Sequence, residues 1–277
     1  MFKNGFLLCL LLLLLTSKAV KASASGVSGW LKAGTAYKLY DLDGGGKKDT
    51  IKIKTSISSD GYAKANLYIN GKKVYTVKKI IPYSNYSDCA RIRIITLKNE
   101  TNYIYFSVDN DSVSRDFLLQ YKNKKISEIS DFSSIMNKYS NTSYLSWYPN
   151  TPIAVSGNVV YFNVSSMNWT VGNATFQLKY KYSNGTLKRV SSYGKISGGN
   201  ASFVAAQGFS TYSSIGSNSI AFTVRTNETV TIQSFRIKSG KLWLCVRNSS
   251  GKTGWIKSLT KQGAGKSLLF SNAWYAS

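Results

Sequence analysis

After an apolar N-terminal run, the chain settles into a period of two. Ile51 and Ile53 alternate with lysines; Ala63, Ala65, Leu67 and Ile69 alternate with Tyr62, Lys64, Asn66 and Tyr68; Phe176, Leu178, Tyr180 and Tyr182 alternate with Gln177, Lys179 and Lys181. Successive side chains of a strand point to opposite faces, so this pattern predicts strands with one face buried. Asn70-Gly71 and Asn184-Gly185 separate such runs. Both central positions of a type I′ turn need positive φ, which makes Asn-Gly a strong hairpin signal. Only Asp131 to Tyr139 has helical spacing, and only for about two turns. The predicted class is all-β.

The hairpins repeat. Leu67 to Val74, Gln120 to Ile126 and Lys181 to Leu187 share a Tyr, one spacer, a turn Asn and an apolar residue that starts the next strand. Their turn residues Asn70, Asn123 and Asn184 lie 53 and 61 positions apart, and each is preceded by a further predicted hairpin at Tyr37 to Lys54, Arg91 to Val108 or Val159 to Trp169. Two hairpins per repeat is the unit of a propeller blade, and a ring needs at least about four blades. Three units therefore predict a propeller-like or stacked β-hairpin repeat domain over residues 27–200. Reuse of one hairpin recipe by Lys-, Asn- and Tyr-rich strands is the alternative.

The N-terminus sets the compartment. Lys3 is followed by an apolar run from Phe6 to Leu15 and by small residues at Val20-Lys21-Ala22 and Ala22-Ser23-Ala24, the layout of a secretory signal peptide over residues 1–24. Ten apolar residues span only about 15 Å as a helix, half of a bilayer core, so no integral membrane span is expected. The product is expected to be extracellular, secreted or held non-covalently on the cell wall. The formal charge is +24; removal of Lys3, Lys18 and Lys21 gives 24 − 3 = +21. Such an excess predicts anionic partners, and for an exported monomer these are wall polymers or peptidoglycan before nucleic acid. The sequence contains no His, which excludes Ser-His and Cys-His nucleophile pairs, a His general base and His-ligated metals. Cys89 and Cys245 remain after processing and fall in different modules, so two unpaired, partly buried thiols are expected.

Asp41-Leu42-Asp43-Gly44-Gly45-Gly46-Lys47-Lys48-Asp49 places carboxylates at loop positions 1, 3 and 9, glycines that let the backbone wrap, and the Lys47 carbonyl at position 7. Ca²⁺ takes such oxygen ligands. The loop resembles the calcium loop of FG-GAP propeller blades, with Gly45 where that family places a fifth-position Asp or Asn. Asp41, Asp43, Lys47 and Asp49 are thus the candidate metal ligands, for weak Ca²⁺ binding or for a Gly-rich hairpin that only descends from a calcium loop. No other cofactor is expected.

Phe222 to Ile232, then Lys241 to Val246 and the ending Gly251-Lys252-Thr253-Gly254-Trp255-Ile256, resemble a bacterial Src-homology-three-like domain over residues 205–260, followed by a tail at 261–277. The resemblance implies a small SH3-like barrel that binds cell-wall peptides or glycans without catalysis. Its candidate ligand contacts are Tyr212, Trp243 and Trp255, although both tryptophans suit a barrel core and burial is the expected role of Trp255. The functional expectation is a secreted, non-catalytic cell-envelope binding protein. The alternatives are a wall-directed glycoside hydrolase using carboxylates such as Asp109, Asp111 and Asp116, and an adhesin-like surface protein.

Overall fold

The computed structural model describes residues 25–80, 89–108, 115–131, 151–168, 170–190, 193–196, 202–259 and 269–273. The signal segment, Asp109, Asp111 and nearly all of the predicted helix at 131–139 lie outside these residues. Among them every regular element is a strand, and no helix is long and apolar enough to cross a membrane.

Two short strands, β1 (Gly26–Val27) and β2 (Leu31–Lys32), precede three meanders. The first is β3 (Ala36–Tyr40), β4 (Asp49–Ile57), β5 (Ala63–Ile69) and β6 (Lys72–Ile80), and the second is β7 (Ala90–Thr96), β8 (Asn102–Val108), β9 (Arg115–Lys122) and β10 (Lys125–Asp131). The third is β11 (Thr151–Ser156), β12 (Val159–Asn168), β13 (Gly172–Ser183) and β14 (Thr186–Arg189). Then come β15 (Tyr193–Ile196), β16 (Ser202–Val204), β17 (Phe209–Tyr212), β18 (Ile220–Val224), β19 (Thr229–Lys238), β20 (Lys241–Arg247) and β21 (Thr253–Lys257). The first meander is a sheet of its own; β1 and β2 join β7 in the middle sheet; the third meander and all later strands form one sheet of eleven strands. All pairing is antiparallel.

The turns follow the sequence closely. Asn70, Asn123 and Asn184 have φ of 52°, 51° and 51°, each followed by another residue of positive φ, as a two-residue hairpin of this hand requires.

The three sheets are layers. In the middle sheet Ile92, Ile94, Ile104, Phe106, Phe117 and Leu119 pack towards the first sheet, against Ile51, Ile53, Leu67 and Ile69. Ile95, Tyr103, Tyr105 and Leu118 point the other way, into a second core with Phe162, Phe176, Phe235 and Leu244. The uninterrupted Tyr103-Ile104-Tyr105-Phe106 run is what a strand covered on both faces needs. The middle layer also buries charge. Asp116 is 1 % exposed, on a cross-strand row with Ser107 and Arg91. The Arg91 and Arg93 guanidinium carbons each lie 4.3 Å from the Trp30 ring centroid, and Arg93 Nη1 donates to the Pro152 carbonyl at 2.9 Å, tying the middle layer to the third. Burial, followed by the Asp116 charge, holds the Tyr105 phenol well above its ordinary value.

One expectation needs correction. The described strands close no barrel: β19, β20, β21, β17 and β18 lie side by side in an open order. The reason is that β19 is ten residues long and its other edge is already taken by β15 and β16. The third sheet and its core run on from the third meander through β15 and β16 into β19, β20 and β21. Gly194 makes that junction. A Cβ there would lie 2.7 Å from Phe235 Cζ and closer still to the Gln177 carbonyl, so only glycine lets β15 fit between β13 and β19.

Candidate ligand-binding surfaces

The acidic loop between β3 and β4 brings Asp41, Asp43 and Asp49 together, with one carboxylate oxygen of each within 4.8 Å of the others. Their hydrogen bonds are largely spent within the fold. Asp41 accepts from the backbone N–H groups of Gly44, Gly45 and Gly46 at 2.8, 3.0 and 2.6 Å, and Asp43 Oδ1 accepts from Gly45 at 3.0 Å. Asp49 is buried; it accepts from the Leu42 N–H at 2.7 Å and from Asn70 Nδ2 at 2.6 Å, while Asn70 Oδ1 accepts from the Thr50 N–H. Asp49 therefore locks the loop to the β5–β6 turn. Lys47 is exposed. The carboxylates suit a hard cation in type and spacing, yet a cation would compete with five N–H donors and would meet the like charges of Lys47 and Lys48.

Beside this loop, the ends of three sheets enclose a cleft of about 300 Å³, lined by Asp43, Asn99, Glu100, Gln120, Lys122 and Tyr182 among others. Asn102, at its edge, donates to the Asp41 carbonyl at 2.6 Å and accepts from the Thr96 hydroxyl at 2.7 Å. Burial, then the charges of Asp49 and Asp43, raise the phenol of Tyr121 on the wall.

The outer face of the first sheet is basic. The register places Lys38, Lys52, Lys54, Lys64 and Lys73 on one side with Thr50, Asn66, Tyr68 and Thr76. The strands place no Asp or Glu on that face; Asp60, in the β4–β5 turn, lies within charge range of Lys64 at its edge. Strand spacing sets these charges on a grid of roughly 5 by 7 Å. The Lys54 ammonium sits 5.0 Å from the Tyr68 ring centroid, and Lys52 and Lys54 line a groove of about 320 Å³ beside Ala33 and Gly34.

Tyr212, Trp243 and Trp255 also come together. Tyr212 is paired with Trp255, Trp255 with Cys245, and Trp243 with Lys257 and Arg236, so all share the face opposite to buried Leu242, Leu244, Val246 and Ile256. Trp255 is half-buried on this outward face rather than in the core. Gly254 explains the Gly-Trp ending: a Cβ there would lie 2.7 Å from Thr211 Cβ, and Thr211 is buried with its hydroxyl donated to the Phe222 carbonyl at 2.8 Å.

The remaining candidates are accounted for. Cys89 and Cys245 form no disulfide, and burial pushes the Cys245 thiol up against a lowering hydrogen bond with Ser234. Asp116, offered as a hydrolytic carboxylate, is buried in the middle layer. Sequence reasoning missed Glu100, Gln120 and Tyr182, which only tertiary packing unites. The lysine face was within its reach, because Lys52, Lys54 and Lys64 sit at the polar positions of adjoining alternating runs. No protein-family model matches this chain, and neither a curated protein nor a solved structure does.

Proposed function

We propose that this is an exported, non-catalytic binding protein of a Gram-positive-type cell envelope, held on anionic wall polymers by the outer face of the first sheet. The observation that carries the reading is the five-lysine array on a face whose strands carry no carboxylate. Like charges at such spacing repel one another, and a polyanion laid across them relieves that repulsion and releases its own counterions. The aromatic face of Tyr212, Trp243 and Trp255 supplies a second, short-range contact, and the resemblance of residues 205–260 to wall-binding SH3-like domains supports this assignment. The N-terminal signal pattern supports export.

The test is retention of mature protein on purified wall, with and without teichoic acid, from 0.1 M to 1 M salt, where the Debye length falls from about 10 to about 3 Å. Retention on teichoic-acid-bearing wall should be largely lost at high salt, with the residue mapping to 205–260. A Lys52→Gln, Lys54→Gln, Lys64→Gln variant should bind roughly tenfold more weakly at low salt and reduce the log–log salt slope by about 2. Salt-insensitive retention, unchanged in that variant, would overturn the reading.

A further inference from the structure

We propose that the cleft where the three sheets meet is a saccharide-binding site that selects a sugar bearing a free amine. Its walls come from three independent elements: Asp43 from the acidic loop of the first sheet, Asn99 to Asn102 with Gln120 to Lys122 from the middle sheet, and Tyr182 from the third. At about 300 Å³ it lies at the small end of ligand pockets.

The polar groups in it divide into two sets. Asn102 is spent on Asp41, Glu100 and Thr96, and Asn99 Oδ1 accepts from the Thr101 N–H at 3.3 Å. By contrast, the side chains of Glu100, Gln120, Lys122 and Tyr182 have no hydrogen-bond partner among the described residues. An amide offers donors and an acceptor side by side, and a carboxylate two acceptors, which suits the vicinal hydroxyls of a sugar. The half-buried Tyr182 ring, backed by Tyr103 at 6.4 Å between centroids, offers an apolar surface to the C–H face of a pyranose. Glu100 is held at φ 63°, a conformation for which glycine is the ordinary residue.

The sign of the charge selects the ligand. Asp43 and Glu100 outweigh Lys122 on the walls, while in the loop behind them Lys47 and Lys48 offset Asp41 and Asp49, so the excess of negative charge is carried by the lining itself. On a chain of net charge +24 this lining is thus locally negative, and the wall polyanions that the lysine face attracts are repelled from it. A neutral sugar can enter; an ammonium group gains from the carboxylates.

The proposal is tested by calorimetric or NMR titration of the full mature chain with glucosamine, N-acetylglucosamine and inorganic phosphate. Saturable binding of glucosamine, at least about fivefold tighter than N-acetylglucosamine, is expected, with none of phosphate at the cleft resonances. Glu100→Gln should remove the preference for the amine. Gln120→Ala should weaken both sugars about fivefold without shifting thermal unfolding; Tyr182→Ala should weaken both as much and also lower the unfolding temperature, because its ring packs against Tyr103 and the core. Absence of saturation up to about 50 mM sugar, or binding that these variants leave untouched, would overturn the site. Equal affinity for the two sugars would overturn its selectivity. Because wall retention is not read in this experiment, its failure leaves the lysine-face reading to be judged on its own test.

Discussion

The lysine face of β4 and β5 and the aromatic face of β20 and β21 are built on the same backbone plan. Each is the outward side of an antiparallel sheet whose inward side is packed with aliphatic residues, and each is set by period-two alternation. They differ in what the free side carries. Lysines act through a field that reaches about a Debye length and depends on salt; Trp, Tyr and Arg act by contact, over a few ångströms. One sheet geometry therefore supplies a long-range capture surface and a short-range docking surface, at opposite ends of the chain. The two also differ in robustness. The lysine face rests on a meander whose core is shared with the middle sheet alone, whereas the aromatic face depends on close crossings that tolerate no Cβ.

The largest effect should come from breaking one such crossing. Gly254→Val would drive its side chain into Thr211, and overpacking of this kind costs about 3 kcal/mol. Thermal unfolding should show the loss, and the salt-resistant part of wall retention should vanish while low-salt retention persists. Loss of both together would mean that the two faces are not independent.

Next in size is an alkaline transition in the layer that joins them. Burial raises the Tyr103 and Tyr105 phenols above the usual value near 10. In the unfolded chain these groups ionise near pH 10 while the folded chain keeps its protons, so the unfolded state binds fewer protons and stability falls as pH rises. Each tyrosine contributes a slope of up to about 1.4 kcal/mol per pH unit. Denaturant unfolding between pH 8 and pH 11, ranges set by that ordinary pKa of about 10, should be flat and then decline. Tyr105→Phe should make the decline shallower, and an unchanged slope would show that Tyr105 is not what titrates.

These effects mark where the sequence could be read and where it could not. Strand positions and the three Asn turns follow from local chemistry, which is why alternation and Asn-Gly predict them. The pairing of β15 with β19, and of β17 with β21, depends on Gly194 and Gly254 admitting a neighbour, and neither glycine differs in the sequence from one in a loop. Trp255 illustrates a second kind of error. Its size suggests a core role, but Leu244, Val246 and Ile256 fill the inward side, so alternation turns Trp255 outward. Asp116 illustrates the reverse, a carboxylate expected in a loop and found inside, on a strand row with Ser107 and Arg91 and interacting with the Tyr105 phenol. In the acidic loop the ligand pattern was legible, but the hydrogen bonds that occupy its carboxylates were not.

Trp255→Ala sharpens the comparison from the contact side. It should weaken salt-resistant retention by about 1–2 kcal/mol, roughly tenfold, and leave the salt slope unchanged. Gly45→Asp probes the acidic end. The new Cβ would lie 3.0 Å from Asp43 Oδ1, so without calcium the variant should unfold at a lower temperature, by about 1 kcal/mol of stability, and calcium should restore it. Calorimetric titration giving equal Ca²⁺ affinity for both forms would show that the loop is a hydrogen-bonded turn and no metal site.

The smallest effect separates a lysine face from a diffuse positive field. Lys124 is exposed at the β9–β10 turn of the middle sheet, outside the lysine array, and has φ 58° where the matching turns carry Gly71 and Gly185. A non-glycine residue in that region costs about 1–2 kcal/mol, offset in part by the greater entropy glycine loses on folding. Lys124→Gly should therefore stabilise the protein by about 1 kcal/mol while removing one positive charge. Lys54→Gln removes one charge as well, from the array against Tyr68. If the face is the capture surface, low-salt wall retention falls with Lys54→Gln and stays level with Lys124→Gly. If the two substitutions weaken retention equally, charge acts by its total and not by its placement, and the array on the first sheet has no special standing.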